Sequence, residues 1–228
     1  MKLLAIDTAA NLCSVAVFDV GTGSLLAEVI EDIGKGHAER LMAVIEQALE
    51  QSTSLITDIG KIAVSIGPGS FTGVRVGVSA ARGLALALRC PVVGISTLQS
   101  LAHDAARSNP GKAILSIIDA RREELYAQFF NADGSAESEP MVTSLPLILG
   151  QLAERVTVHV LAGSGASLVN EKLGQRLDIA VEGATGSIEA VARLGAILVS
   201  DGAPKPLYLR GLDVKPQQGF VLKRKVAE

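Results

Sequence analysis

The chain has no tryptophan, two tyrosines and five phenylalanines among 228 residues. Aromatic side chains therefore cannot dominate its core, which must be built from Leu, Ile, Val and Ala. There are only two cysteines, Cys13 and Cys90. They lie far apart and match no metal-ligand spacing, so they read as reduced thiols in a core. The three histidines are His37, His103 and His159. No two are three or four residues apart, which excludes a His-x-x-x-His zinc or iron site. A basic surplus is also missing: 21 Lys and Arg stand against 24 Asp and Glu, a net charge of -3. A chain that grips nucleic acid by itself carries such a surplus. No serine or cysteine stands in a G-x-S-x-G elbow, and Ser164 in Gly163-Ser-Gly165 lacks the second half of that pattern. No run approaches 18 uninterrupted apolar residues, so no membrane span is expected. The start, MKLLAIDTAANLC, passes too soon into polar residues to read as a signal peptide.

What is present is a hydrophobic content of 48%, enough for a sizeable core, and 23 glycines, which suit tight turns and close backbone contacts. The order of segments repeats. A strand at 3–6 ends in Asp7, an alternating strand at 13–18 follows, and a turn at 19–23 leads to a third strand near 25–30. A helix is expected over 37–51, with Leu41, Val44, Ile45, Ala48 and Leu49 on one face. A strand at 62–66 enters Gly67-Pro-Gly-Ser70 and a long helix, then comes a strand at 91–95. Ser96-Thr-Leu-Gln99 has the form of a capping box opening a helix to about 107. After a linker at 109–111 the pattern restarts, with a buried strand at 113–118 ending in Asp119 and a second at 124–130. Setting Asp7 on Asp119 pairs Ile6 with Ile118 and Phe18 with Phe130. The later Gly-x-Gly turns at 67–69 and 163–165 then fall in the same order. Duplication of one α/β unit explains this order. It divides the chain into a lobe at 1–108 and a lobe at 109–228. The final helix, expected from Ser187 to a stop at Asp201-Gly202, is free to pack back on the first lobe.

The stretch 66–88, IGPGSFTGVRVGVSAARGLALAL, is the most informative. Gly73, Gly77, Ala81 and Ala85 recur every four residues and share one helix face, which allows close approach of another element. A second line, Val76, Ala80, Leu84 and Leu88, is also apolar, so the helix is either deep in a core or covered on one side by a partner. The turn before it offers a natural anion site at a helix N-terminus. It is nevertheless no P-loop, since no Lys follows Gly73, and no G-x-G-x-x-G, since Thr72 takes the third Gly's place. A tight structural turn is the other reading. Asp7 and Asp119 present a similar choice. Facing carboxylates at strand ends suit a metal–phosphate complex in an interlobe cleft. Yet Thr8-Ala-Ala and Ala120-Arg-Arg follow them, without glycines to bare backbone N–H groups, and turn capping is the alternative. Asp7, Asp119, Gly67 and Gly69 are therefore the only cofactor-site candidates, and no catalytic or metal-binding residue is identified. Arg75, Arg82 and Arg89 form a stripe at seven-residue spacing that suits an interface or a solvated face. The basic cluster Lys223-Arg-Lys225 near the end suits RNA phosphate or a solvated terminus.

Taken together, IGPGSFTGVRVGVSAARGLA, the opening LAIDTA followed by SVAVFD, GHAERLMAVIEQAL, VVGISTLQSLA and IDARREELYAQFF resemble the TsaB (YeaZ) family, over residues 3 to about 130 with an echo at Pro206-Leu-Tyr-Leu-Arg210. The resemblance implies a two-lobed, duplicated actin-like (ASKHA, ribonuclease H-like) α/β fold. It implies a cytoplasmic, non-catalytic subunit, without cofactor, of the machinery that makes threonylcarbamoyladenosine (t6A) in tRNA. The implied partners are a TsaD-type transferase and a TsaE-type ATPase, with tRNA met only through the complex. It further implies pairing through the first-lobe helices, as a homodimer or with the transferase. Carried onto this sequence, that surface comprises Leu41, Ile45, Gly73, Val74, Gly77, Val78, Ala81, Arg82 and Ala85. An ATP-binding phosphotransferase using Asp7 and Asp119 is the alternative. A metallopeptidase is disfavoured by the absent ligands.

Overall fold

One order of strands and helices is run through twice. The computed structural model describes residues 1–155, 159–174 and 176–210. The first run is β1 (Lys2–Asp7), β2 (Leu12–Asp19), β3 (Ser24–Asp32), α1 (His37–Gln51), β4 (Ile59–Gly67), α2 (Phe71–Leu88), β5 (Val92–Ser96) and α3 (Thr97–Ser108). The second is β6 (Ala113–Asp119), β7 (Glu124–Phe130), β8 (Met141–Ser144), α4 (Leu145–Ala153), β9 (His159–Ala162), α5 (Ala166–Lys172), β10 (Ile179–Val181) and α6 (Ile188–Ile197). The two sheets have the orders β3-β2-β1-β4-β5 and β8-β7-β6-β9-β10, which are the same order in the two halves. In each, the opening three strands are antiparallel and the remaining pairs parallel. Asp7 ends β1 and Asp119 ends β6, as the sequence alignment of the halves requires.

Local signals account for the helix starts. Ser96 Oγ accepts the Leu98 N–H and Gln99 Oε1 accepts the Ser96 N–H, so the capping box of α3 forms. Ser187 Oγ accepts the Ala190 N–H at the start of α6. The end of α6 departs from the stop expected at Asp201-Gly202. The helix closes at Ile197, where the buried Lys61 reaches over from β4 and donates to the carbonyls of Ala196 (3.3 Å) and Leu198 (2.6 Å). A cation at a helix C-terminus satisfies carbonyls that have no intrahelical partner.

The core lies on both faces of both sheets. On the first sheet, α1 and α2 cover Leu4, Ile6, Val15, Val17 and Val64. Its other face, with Leu3, Ala5, Phe18 and Ala63, is covered by Ile188, Val191 and Ala192 of α6. The second sheet packs α4 and α5 on one face, while α3 covers the other with Leu98, Leu101, Ala102 and Ala105. Each half's last helix is thus given to the other half's sheet. Ile188 and Val191 are buried, and each contributes on the order of 1.5–3 kcal/mol of transfer free energy. The exchanged helices are tied together: Asp104 on α3 accepts the Ser187 N–H (2.6 Å) and hydroxyl (2.9 Å), and Arg107 pairs with Glu189 at 3.4 Å. Residues 97–108 accordingly belong to the first half in sequence but bury their apolar face in the second.

Candidate partner groove and the filled turn beneath it

Asp7 and Asp119 do the same local work. Asp7 Oδ1 accepts the Ala9 N–H at 2.8 Å, and Asp119 Oδ1 accepts the Arg121 N–H at 2.7 Å. Both are strand-end carboxylates capping a turn two residues on. Their surroundings differ. Asp119 is exposed, whereas Asp7 is buried. Burial pushes the Asp7 carboxyl up to about 6, against the opposing pull of the Ala9 N–H bond. The Ser65 hydroxyl also pulls the value down, although among the described residues Oδ2 has no partner within 3.5 Å.

The Gly67-Pro-Gly-Ser turn lies directly on the loop after Asp7. Ser70 donates its N–H to the Ala9 carbonyl at 2.6 Å, and the Thr8 hydroxyl donates to the Gly73 carbonyl at 2.7 Å. A Cβ at Gly69 would stand 2.2 Å from the Ala9 oxygen, and one at Gly73 2.0 Å from the Thr8 oxygen. A Cβ at Gly77 would stand 2.4 Å from Thr8 Oγ1. The glycines therefore admit the chain's own backbone, and an anion finds that place filled. The Gly73 N–H is also taken, by Ser70 Oγ at 3.2 Å. Gly67 and Gly69 serve the turn, which is the structural reading of the two open at the sequence level.

The same geometry divides the residues of the expected partner surface. Gly73, Gly77, Ala81 and Ala85, with Val74 and Val78, are buried against the first sheet and the Thr8 loop. Leu41 and Ile45 are buried under α1 in the same cluster. The six on α2 turn to the sheet of the same chain, whereas Leu41 and Ile45 also reach the floor of the depressions between α1 and α2. Of the nine residues, only Arg82 is exposed. The small-residue line is what lets α2 settle close to the sheet.

The open surface is the opposite side of the same two helices. Met42 on α1 and Phe71, Arg75, Val76 and Ser79 on α2 line a groove of about 450 Å³. Phe71 is 47% exposed, Met42 54% and Leu86 82%, so this face is apolar and uncovered. A neighbouring depression of about 700 Å³ runs between Glu39, Glu46 and Glu50 on α1 and Leu55 and Leu84. Acidic residues thus edge α1, and Arg75 and Arg82 edge α2. The signal that pointed here was the second apolar line, Val76, Ala80 and Leu84. Among the described residues, α2 is also the one helix long and apolar enough to cross a membrane, and its Gly73 to Ala85 line is sealed on the sheet.

The histidines are dispersed. His37 is buried at the start of α1, with Nε2 3.2 Å from the Leu12 carbonyl, and His159 packs edge-on to Phe129. Among the described residues, no group of three or more His, Cys, Asp or Glu is placed to hold a metal ion. Lys223, Arg224 and Lys225 lie outside the described residues.

A family model described as "TsaD: tRNA N6-adenosine threonylcarbamoyltransferase" matches residues 26–142. The tRNA threonylcarbamoyladenosine biosynthesis protein TsaB of Escherichia coli (strain K12) is 41% identical over 133 residues, covering 58% of this chain and 56% of that protein. The chain spans only slightly more than half the length of the curated relatives it matches. YeaZ from Pseudomonas aeruginosa superposes with a TM-score of 0.74 at 29% identity, over 91% of this chain and 99% of that one. The chain belongs to the TsaB (YeaZ) family. It falls within the wider group that the TsaD-named model describes. EutJ from Carboxydothermus hydrogenoformans, with a TM-score of 0.53 at 10% identity, shares the fold alone. With the repeated sheet order, these likenesses make this TsaB-family chain a duplicated actin-like α/β fold.

Proposed function

We propose that this TsaB-family chain is a non-catalytic scaffold subunit of the t6A machinery. In this reading it holds a TsaD-type transferase against the outer face of α1 and α2, and a TsaE-type ATPase joins the pair. The observation that carries the reading is the uncovered apolar groove between Met42, Phe71, Val76 and Ser79, on a chain whose Gly67-Pro-Gly-Ser turn is filled by Thr8 and Ala9. The acidic edge of α1 and basic edge of α2 suit a partner of similar architecture related by a two-fold axis, where each edge meets its opposite. A homodimer and a transferase heterodimer would then compete for one face. Transfer RNA is met through the complex, and the working location is the cytoplasm. The Escherichia coli relative, a tRNA threonylcarbamoyladenosine biosynthesis protein, supports the pathway.

Reconstitution tests it. t6A formation by the synthase, transferase and ATPase is expected to depend on this chain. Met42→Glu and Ser79→Glu, both at exposed positions, should weaken transferase binding by roughly tenfold or more, the equivalent of one lost apolar anchor, with Tm unchanged. Equal t6A formation without the chain would remove the scaffold role. Unchanged binding by both variants would remove the groove from it.

A further inference from the structure

We propose that residues 204–210 form an interlobe strap that couples the wall of the α1–α2 groove to the left-handed turn at 121–123. The segment has no regular structure, yet it is bonded at both ends. At the first lobe, Leu207 donates its N–H to the Ile66 carbonyl at 2.7 Å, just before the Gly67 turn. Arg75 Nε donates to the Tyr208 hydroxyl at 2.7 Å, and the Arg75 guanidinium lies 3.6 Å from the centre of the Phe71 ring. Phe71 and Tyr208 have ring centres 5.5 Å apart, so Arg75 joins strap and helix through two aromatic rings. Phe71 and Arg75 are also groove residues. At the second lobe, Leu209 packs on the cluster that contains Leu98, Ile118 and Phe130. Arg210 Nη2 donates to the Ala120 carbonyl at 3.3 Å and pairs with Glu124.

Arg210 grips the two residues that flank an unusual stretch of backbone. Arg121, Arg122 and Glu123 have φ of 61°, 55° and 64°, three consecutive non-glycine residues in the left-handed region. Such residues persist where their surroundings over-determine them. Here the restraints include the Asp119 carboxylate on the Arg121 N–H, the Ala120 N–H on the Glu124 carbonyl, the Glu124 N–H on the Arg121 carbonyl at 3.2 Å, and the strap's Arg210. An occupant that moves Phe71 or Arg75 pulls on Tyr208, and two residues later on the turn.

Hydrogen exchange of the free chain tests this. Arg75→Ala and Tyr208→Phe touch nothing in the turn, yet each is expected to speed exchange at the Ala120, Arg121 and Glu124 amides about three- to tenfold, the equivalent of one hydrogen bond. Arg210→Ala should do the same and, reciprocally, speed the Leu207 amide. Arg75→Ala with Arg210→Ala should add little at the turn beyond Arg210→Ala alone, since both cut one path. Tyr208→Phe keeps the ring and remains readable should Arg75→Ala loosen the first lobe. Faster exchange confined to residues 207 and 208, with 120–124 unchanged in Arg75→Ala and Tyr208→Phe, overturns the coupling. So does full additivity of the double variant.

Discussion

Replacing Asp7 by Asn should stabilise the chain at neutral pH and leave it unchanged in acid. Burial raises the Asp7 carboxyl from 3.8 to about 6, despite the bond from Ala9, the Ser65 hydroxyl and the neighbouring His37. The folded state therefore holds this proton more tightly than the unfolded state. Stability from this group is fully present below the unfolded value near 4, falls as pH rises through about 6, and is flat above. At about 1.4 kcal/mol per unit, the charged carboxylate costs the fold roughly 3 kcal/mol at pH 7.5. An amide keeps an oxygen for the Ala9 N–H and removes the charge. Its NH2 can in addition bond the neighbouring Ser65 hydroxyl. Urea unfolding between pH 4 and 8 reads the difference: curves for the two proteins should meet near pH 4 and separate by up to about 3 kcal/mol at pH 7.5. Parallel curves, or a variant less stable at pH 7.5, would refute the reasoning. The latter result would mean that the carboxylate is held charged by a cation, and would return Asp7 to the phosphate–metal role.

Two further substitutions test the packing of α2 and the end of α6. Gly77→Leu should lower stability by more than the 1–3 kcal/mol typical of overpacking, because even a Cβ there meets Thr8 Oγ1 at 2.4 Å; a melting temperature equal to wild type would contradict the burial of that line. Lys61→Met should cost about 1–3 kcal/mol by leaving the Ala196 and Leu198 carbonyls unsatisfied, with exchange rising first in the last turn of α6; unchanged α6 protection would show that Lys61 does not hold the helix.

The repeat was legible because strand-end aspartates and Gly-x-Gly turns keep their order even where little else matches, and the sheet order follows from that repetition. The helix His37–Gln51 and the cap at Ser96 were legible for a similar reason, since periodicity and capping act within a few residues. Which face of α2 meets which neighbour was not. Two apolar lines run along that helix, and sequence spacing says only that each can be covered. The choice is made by Thr8, sixty-five residues upstream of Gly73, whose hydroxyl bonds the Gly73 carbonyl and whose backbone fills the space beside it. The return of the final helix to the first lobe was open at the sequence level, but the reciprocal placement of α3 on the second sheet was not legible, because it depends on where a helix of ordinary amphipathic pattern lands after the chain leaves its own lobe.

The unequal burial of the two strand-end aspartates follows from the same packing. In the first half, the Gly67-Pro-Gly-Ser turn folds over the loop after β1 and shuts Asp7 away from water. In the second, the corresponding Gly163-Ser-Gly165 turn approaches differently. Gly163 lies against the Ile117 carbonyl, and Ser164 accepts the Asp119 N–H, which leaves the Asp119 carboxylate outside. One duplicated unit has thus produced a closed turn that launches α2 and an open one beside the left-handed backbone at 121–123. Placing both carboxylates on one metal–phosphate complex would need the first turn to open, which breaks the Ser70–Ala9 and Thr8–Gly73 bonds together. The loss of either bond costs about 0.5–1.5 kcal/mol net and leaves buried polar atoms unpaired. The closed turn is thus held by two bonds that such a rearrangement would have to give up together.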